Sequence, residues 1–124
     1  MPLPEDRQYT AEHEWIQIEG DRARVGVTQY AADALGDIVY LDLPSAGSVV
    51  AAGEPCGEIE STKSVSDLFS PANGTVIEVN EDLLNEPGRV NSDPYSGWLF
   101  VLNLDSAGPL LSAAEYQALT EPTP

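Results

Sequence analysis

An all-β sandwich or barrel is the fold predicted by this chain of 124 residues. Three observations point there. Short apolar runs with alternating polarity recur along the chain, as half-buried strands require. Ten glycines and ten prolines punctuate them, at intervals that suit turns between strands. Only two or three minor helices break the pattern. The length fits a single domain, 1–124, with residues 1–8 an N-terminal arm and 110–124 a C-terminal helix and frayed tail. Such a chain buries a core without disulfide staples.

The elements follow in order. Residues 1–12 are polar and proline-bearing. His13 to Glu19 and Arg22 to Val27 alternate about the turn pair Gly20-Asp21 and predict a hairpin. Thr28 is placed to cap a helix from Gln29 to Leu35, rich in alanine, which Gly36 stops. Asp37 to Leu43 is a β-branched, apolar strand ended by Pro44. Val49–Pro55 and Cys56–Ser61 precede a mirror-like segment, Ser64–Ser70 and then Thr75–Val79. Between its halves, Asn73-Gly74 reads as a hairpin turn. Glu81–Asn85 predicts one helical turn, and Asn91-Ser92-Asp93-Pro94 is turn chemistry. Trp98 to Leu104 is the last strand. Ser112 with Glu115 forms a capping box that opens a final helix through Leu119.

Charge excludes several functions. Asp and Glu number 21 against 5 Lys and Arg, for a formal net charge of −16. A nucleic-acid binder needs a basic stripe to displace counterions from phosphate, and an anionic membrane repels such a surface. A basic protein partner is steered in. The single cysteine, Cys56, permits neither a disulfide framework nor a thiolate metal cluster, and in a strand-like segment it reads as a small packed hydrophobe. The start of the chain lacks the basic and apolar regions of a signal peptide. His13 has no Ser or Cys partner in a triad-like setting and reads as a fold or docking residue. Trp15, Trp98 and Phe100 read as core or cleft wall. No nucleophile–base pair, metal cluster or phosphate loop suggests an enzyme.

Average usage predicts roughly seven lysines in a chain this size. There is one, Lys63. Compositional bias explains the scarcity but not the position. Thr62-Lys63 falls where a two-residue loop joins two strands, so the amine projects into water. Its neighbours Ser61, Thr62 and Ser64 are small hydroxyls, and Glu58, Glu60 and Asp67 surround the site. A projecting amine with a clear approach suits enzymatic acylation, which removes its charge. An ordinary surface lysine on a turn has the same geometry.

From residue 9 to residue 104 the chain resembles the H-protein family of the glycine cleavage system, the lipoyl carriers. The matching stretches are Tyr9 with His13-Glu14-Trp15, then Gly26 through Val39, and Leu43-Pro44. The core match runs from Glu60-Ser61-Thr62-Lys63-Ser64 through Pro71, into Gly74. Val79-Asn80-Glu81, Glu86-Pro87, Val90-Asn91, Asp93-Pro94-Tyr95 and Gly97-Trp98-Leu99 follow. They are collinear over about three quarters of the chain. A bare Glu-Ser-x-Lys would be weak evidence; this ordered set is specific.

The resemblance implies a barrel-sandwich hybrid of the lipoyl/biotinyl-carrier type with short flanking helices. It implies lipoate amide-linked to Lys63, attached by a lipoate ligase or a lipoyl/octanoyl transferase. It also implies a shuttle rather than an enzyme. A pyridoxal-phosphate (PLP) glycine decarboxylase loads an aminomethyl group onto the lipoyl arm. A tetrahydrofolate-dependent aminomethyltransferase removes it, and an FAD dihydrolipoyl dehydrogenase takes the electrons. Family members fold the loaded arm into a cleft, whose acids match Glu14 and Asp67. A carboxylate facing a protonated amine makes a charge-assisted hydrogen bond. Glu12 and Ala34 stand where relatives often carry a small hydroxyl and a histidine. A monomer in the bacterial cytoplasm is expected, with no nucleic-acid or membrane partner. Biotin carriers fit less well, since they set their lysine between methionines and the only methionine here is Met1. Lipoyl domains of acyltransferases are shorter and lack the His13-Glu14-Trp15 segment. A homologue that relays lipoyl groups to other carriers is the remaining alternative.

Overall fold

The structure, a computed structural model, describes residues 3–120. The proline-rich end expected to fray lies outside the described residues, as do the first two residues of the arm.

Among the described residues, nine strands build two sheets. β1 (Gln8–Tyr9), β2 (Glu14–Glu19) and β3 (Arg22–Val27) continue through β9 (Phe100–Ala107) and β8 (Ala72–Val79) to β5 (Val49–Val50). β4 (Ile38–Asp42), β6 (Pro55–Ser61) and β7 (Val65–Phe69) form the second sheet, in the order β4-β6-β7. Every pairing between named strands is antiparallel. The main core lies between the sheets: Ile16, Val25, Val76 and Leu102 come from the larger, Leu41, Ile59 and Leu68 from the smaller. Each buried aliphatic side chain of this kind stabilises the fold by about 1.5–3 kcal/mol. Cys56 packs on the edge of this core, and burial pushes its thiol up to about 12.

Local signals in the sequence specify the short helices. α1 (Gln29–Leu35) begins where the Thr28 hydroxyl accepts the Ala31 N–H at 3.2 Å. It ends at Gly36, whose φ of 82° is open only to glycine at low cost. α2 (Glu81–Asn85) is the single turn expected. α4 (Ala113–Thr120) opens with the reciprocal box: Ser112 N–H donates to the Glu115 carboxylate at 2.8 Å, and Glu115 N–H donates to the Ser112 hydroxyl at 3.1 Å. A four-residue helix, α3 (Arg89–Ser92), overlaps the start of the turn chemistry at Asn91–Pro94, where the sequence signals no helix.

Three further expectations are corrected. Asn73-Gly74 is no hairpin turn; both residues lie inside β8. Neither has the positive φ that a type I′ turn needs at both central positions. The register shifts there, and a Cβ on Gly74 would collide with the Asn103 carbonyl, so the glycine serves a close approach of backbones. The last strand starts at Phe100 rather than Trp98 and runs on to Ala107. The N-terminal segment is more than an arm. Tyr9 is fully buried, stacks on Tyr116 at 5.0 Å, and exchanges two backbone hydrogen bonds with Leu111 at 2.8 and 2.7 Å. The Arg7 guanidinium lies 4.5 Å over the Trp15 ring and donates to the Tyr95 carbonyl at 2.8 Å. Tyr9, Trp15 and Tyr116 thus make a second core at the end of the larger sheet.

Candidate functional site

Lys63 sits at the tip of the β6–β7 hairpin and is exposed. The loop is closed by hydrogen bonds on both sides of it. Ser61 N–H donates to the Ser64 carbonyl at 2.8 Å. The buried Ser61 hydroxyl donates to that same carbonyl at 3.2 Å. It accepts the N–H of Ser64 at 3.1 Å and of Lys63 at 3.3 Å. Thr62 and Lys63 are therefore the two residues outside the closure, as the two-residue loop predicts.

The loop is also moored to the rest of the molecule. Thr62 N–H donates to the Asp37 carbonyl at 3.0 Å. Asn91 fixes the segment around Asp37: its side chain donates to the Gly36 carbonyl at 2.8 Å and accepts the Ile38 N–H at 2.9 Å. The Lys63 stem passes over Gly36, where a Cβ would stand 3.5 Å from Cε. No carboxylate lies within 4.0 Å of its amine among the described residues. The backbone of Lys63 is held while its side chain stays open to solvent.

The acids expected near the lysine lie on the outer face of the smaller sheet. Asp42 stands opposite Glu58, and Glu58 opposite Asp67, so three exposed carboxylates form one row. The next row is Tyr40, Glu60 and Val65. Like charges directly opposite each other destabilise a sheet, and β4, β6 and β7 carry no Lys or Arg to offset them.

Glu14 and Asp67 are differently placed. Asp67 is exposed, midway along β7. Glu14 is buried, 2% exposed, at the end of the hairpin remote from Lys63. The Thr10 hydroxyl donates to its carboxyl at 2.9 Å, and the Phe69 N–H faces it. Burial pushes this carboxyl up to about 8, against the lowering effect of the Thr10 hydrogen bond. At about 3.3 Å per residue, the six steps from Phe69 back to Lys63 span roughly 20 Å. A hollow of about 340 Å³ is lined by Thr10, Glu12, Ser70 and Pro71 among others; Thr10, the hydrogen-bond partner of Glu14, is in its wall, and Glu14 itself is not. A larger groove, about 770 Å³, lies elsewhere, between β4 and α2, where Tyr40, Asp82 and the half-buried Trp98 line it. Trp15 and Phe100 are core.

His13 is a structural residue here. Its φ is 71°, its Nδ1 is 2.7 Å from the Tyr116 hydroxyl, and its ring packs 4.5 Å from that of Tyr30. Burial lowers its pKa, which favours the neutral ring. The supporting residues Ser61, Asp37, Asn91 and Thr10 were not marked as site residues by the sequence. Serine as a buried acceptor and asparagine as a bridge have no spacing signature; only the fold brings them to the loop.

The arrangement can present one amine for covalent modification on a fixed base. Comparison with known proteins points to one family. The family profile described as "Glycine cleavage H-protein" matches residues 7–123. A relative from Beutenbergia cavernae, named glycine cleavage system H protein, is 59% identical over 121 residues, which is 97% of this chain and 98% of that one. A Bacillus subtilis relative of the same name is 45% identical over 125 residues, 98% of each chain. The crystal structure of a glycine cleavage system H protein from Mycobacterium marinum superposes with a TM-score of 0.90 at 49% identity, covering 94% of this chain and 97% of that one. The fold is thus the expected barrel-sandwich hybrid of the lipoyl-carrier type, with short flanking helices.

Proposed function

This chain belongs to the glycine cleavage H-protein family, and on that premise we propose that it is the lipoyl-bearing shuttle of a glycine cleavage system, acting through Lys63. One observation carries the reading: the only lysine of the chain is exposed at the tip of a hairpin whose backbone is moored through Ser61 and Asp37.

The site fits the cofactor. An amide on Lys63 Nζ needs an approachable amine, small neighbours and no competing ion pair, and Thr62, Lys63 and Ser64 are all exposed. Lipoate, when attached, supplies a dithiolane that accepts the aminomethyl group and afterwards yields electrons. The protein supplies the attachment point, its orientation and its recognition. Asp67, on the same hairpin, and Glu14, against the Phe69 N–H at its far end, are the acids proposed to face the loaded arm. Ionised, Glu14 would offer a charge-assisted hydrogen bond to a protonated amine. Held neutral by burial, it offers a neutral one; a cation brought beside it would favour the ionised form, with the proton released to water.

The proposed partners are the PLP-dependent glycine decarboxylase, the tetrahydrofolate-dependent aminomethyltransferase, the FAD-containing dihydrolipoyl dehydrogenase, and the ligase or transferase that lipoylates Lys63. The formal charge of −16 steers basic partners toward the molecule. The chain, residues 1–124, is proposed to act as one carrier domain, itself no catalyst, in the bacterial cytoplasm; the relatives compared are all bacterial.

Intact mass after coexpression with a lipoate ligase tests the reading. One lipoyl group added to Lys63 is expected; an unmodified chain under those conditions overturns it. Glycine–bicarbonate exchange with the decarboxylase then separates the shuttle from a lipoyl relay. A lipoylated chain that supports no exchange is not the glycine carrier.

A further inference from the structure

β7 is an edge strand, paired with β6 alone. Ser61 and Ser64 form a bonded pair across the hairpin. Alternation then makes Ile59/Ser66 and Gly57/Leu68 the other bonded pairs. Val65, Asp67 and Phe69 therefore turn their N–H and C=O groups away from β6. Phe69 agrees with this parity, since its N–H faces the Glu14 carboxyl on the far side. Glu14 closes one end of the edge. Val65 and Asp67 are left without a main-chain partner among the described residues, apart from a 3.5 Å contact of the Ser66 hydroxyl on the Asp67 carbonyl.

Exposed edges are normally blunted by lysine, proline, a bulge or a covering element. β7, Val-Ser-Asp-Leu-Phe, has no lysine or proline, and the shift of register in the hairpin falls on β6, between Pro55 and Gly57. Its protection is electrostatic: Asp67 stands in the row with Glu58 and Asp42. That row repels another copy of this chain, whose formal net charge is also −16. It attracts a strand with a basic side chain opposite Asp67. Two residues away on the same face, Val65 is 58% exposed and matches an apolar side chain. Lys63 lies two residues further on.

We propose that the free edge of β7 receives an extended segment of the enzyme that acylates Lys63, adding a fourth strand to the smaller sheet, with a basic residue against Asp67 and an apolar one against Val65. Strand addition supplies affinity through the main chain and selectivity through alternate side chains. Here it also sets the docked protein beside the amine it modifies. The identity of the partner rests on the role assigned to Lys63 above; the strand pairing itself does not.

The test uses the full chain and a lipoate ligase. Hydrogen exchange of the Val65 and Asp67 amides should slow at least tenfold when the ligase binds. Val65→Pro removes one outward N–H and leaves the ladder to β6 intact. It should raise the KM for the carrier at least tenfold with little change in kcat, while Val65→Ala, which keeps the N–H, stays within about threefold of the parent. Unchanged exchange at both amides in the complex overturns the proposal, as does a proline variant that folds and keeps the parental KM. So does concentration-dependent protection of these amides in the chain alone, which would assign the edge to a second copy. If the proline variant fails to fold, the exchange measurement on the unsubstituted chain decides. A parent chain that the ligase binds but never lipoylates sinks the carrier role and leaves the exchange result to judge the edge.

Discussion

Lys63 and Gly36 are neighbours in space: the lysine stem runs over the glycine, so that a Cβ at position 36 would lie 3.5 Å from Cε. The hydrogen bond from the Thr62 N–H to the Asp37 carbonyl ties this end of α1 to the hairpin tip. Gly36 has φ 82° and ψ −158°, a region that side-chain-bearing residues enter only under strain. Gly36→Ala should therefore destabilise the fold by about 1–3 kcal/mol. Urea unfolding measures this; a variant as stable as the parent would show that the segment relaxes freely.

Lys63→Arg keeps the positive charge and removes the acylatable amine. Because the side chain is exposed and makes no ion pair within 4.0 Å among the described residues, stability should change by about 0.5 kcal/mol or less. The mass gain on coexpression with a lipoate ligase should vanish. A persisting gain would place the modification elsewhere.

Glu14 makes stability depend on pH. A carboxyl usually titrates near 4.5, and burial raises this one to about 8. The folded form holds the proton more tightly than the unfolded one. Its stabilising contribution is thus full below about pH 4.5 and is lost as pH rises through about 8. The loss is on the order of a few kcal/mol. Glu14→Gln keeps an oxygen to accept the Thr10 hydroxyl and cannot ionise. Between pH 5 and pH 9 it should lose less stability than the parent, read as the shift of the urea midpoint. Parallel pH dependences in the two proteins would contradict the buried carboxyl.

Tyr116 joins three elements through one hydroxyl. It lies 2.7 Å from His13 Nδ1 and 2.8 Å from the Thr28 hydroxyl, which in turn caps α1. Tyr116→Phe leaves the buried Thr28 hydroxyl and the half-buried His13 ring short of a bond and should cost about 1–3 kcal/mol. Thermal unfolding at fixed pH checks it, with retained lipoylation as the sign that the hairpin is undisturbed.

What was legible in the sequence was local. Gly20-Asp21, the Thr28 cap, the Gly36 stop and the Ser112/Glu115 box each act within a few residues, and each stands where it was expected. Lys63 was legible because a lone lysine between two strands is conspicuous. The misreadings were non-local. Asn73-Gly74 carries a turn signature, but β8 and β9 stay paired on both sides of it across a shift of register, and the glycine makes room for Asn103. The burial of Tyr9, inside the polar segment 1–12, has no local signal because its partners, Leu111 and Tyr116, come about a hundred residues later. The burial of Glu14 depends on β7 and on Thr10, and no motif announces that a carboxyl will be enclosed rather than solvated.

The chain of bonds from Asn91 through Gly36 and Asp37 to Thr62 has one more effect. It turns the hairpin tip into a stationary anchor, so any appended tether sweeps a volume fixed by its own length rather than by drift of the scaffold. Local concentration at a docked active centre falls steeply as that volume grows. A stiff base therefore raises the frequency of productive encounters without a single added contact.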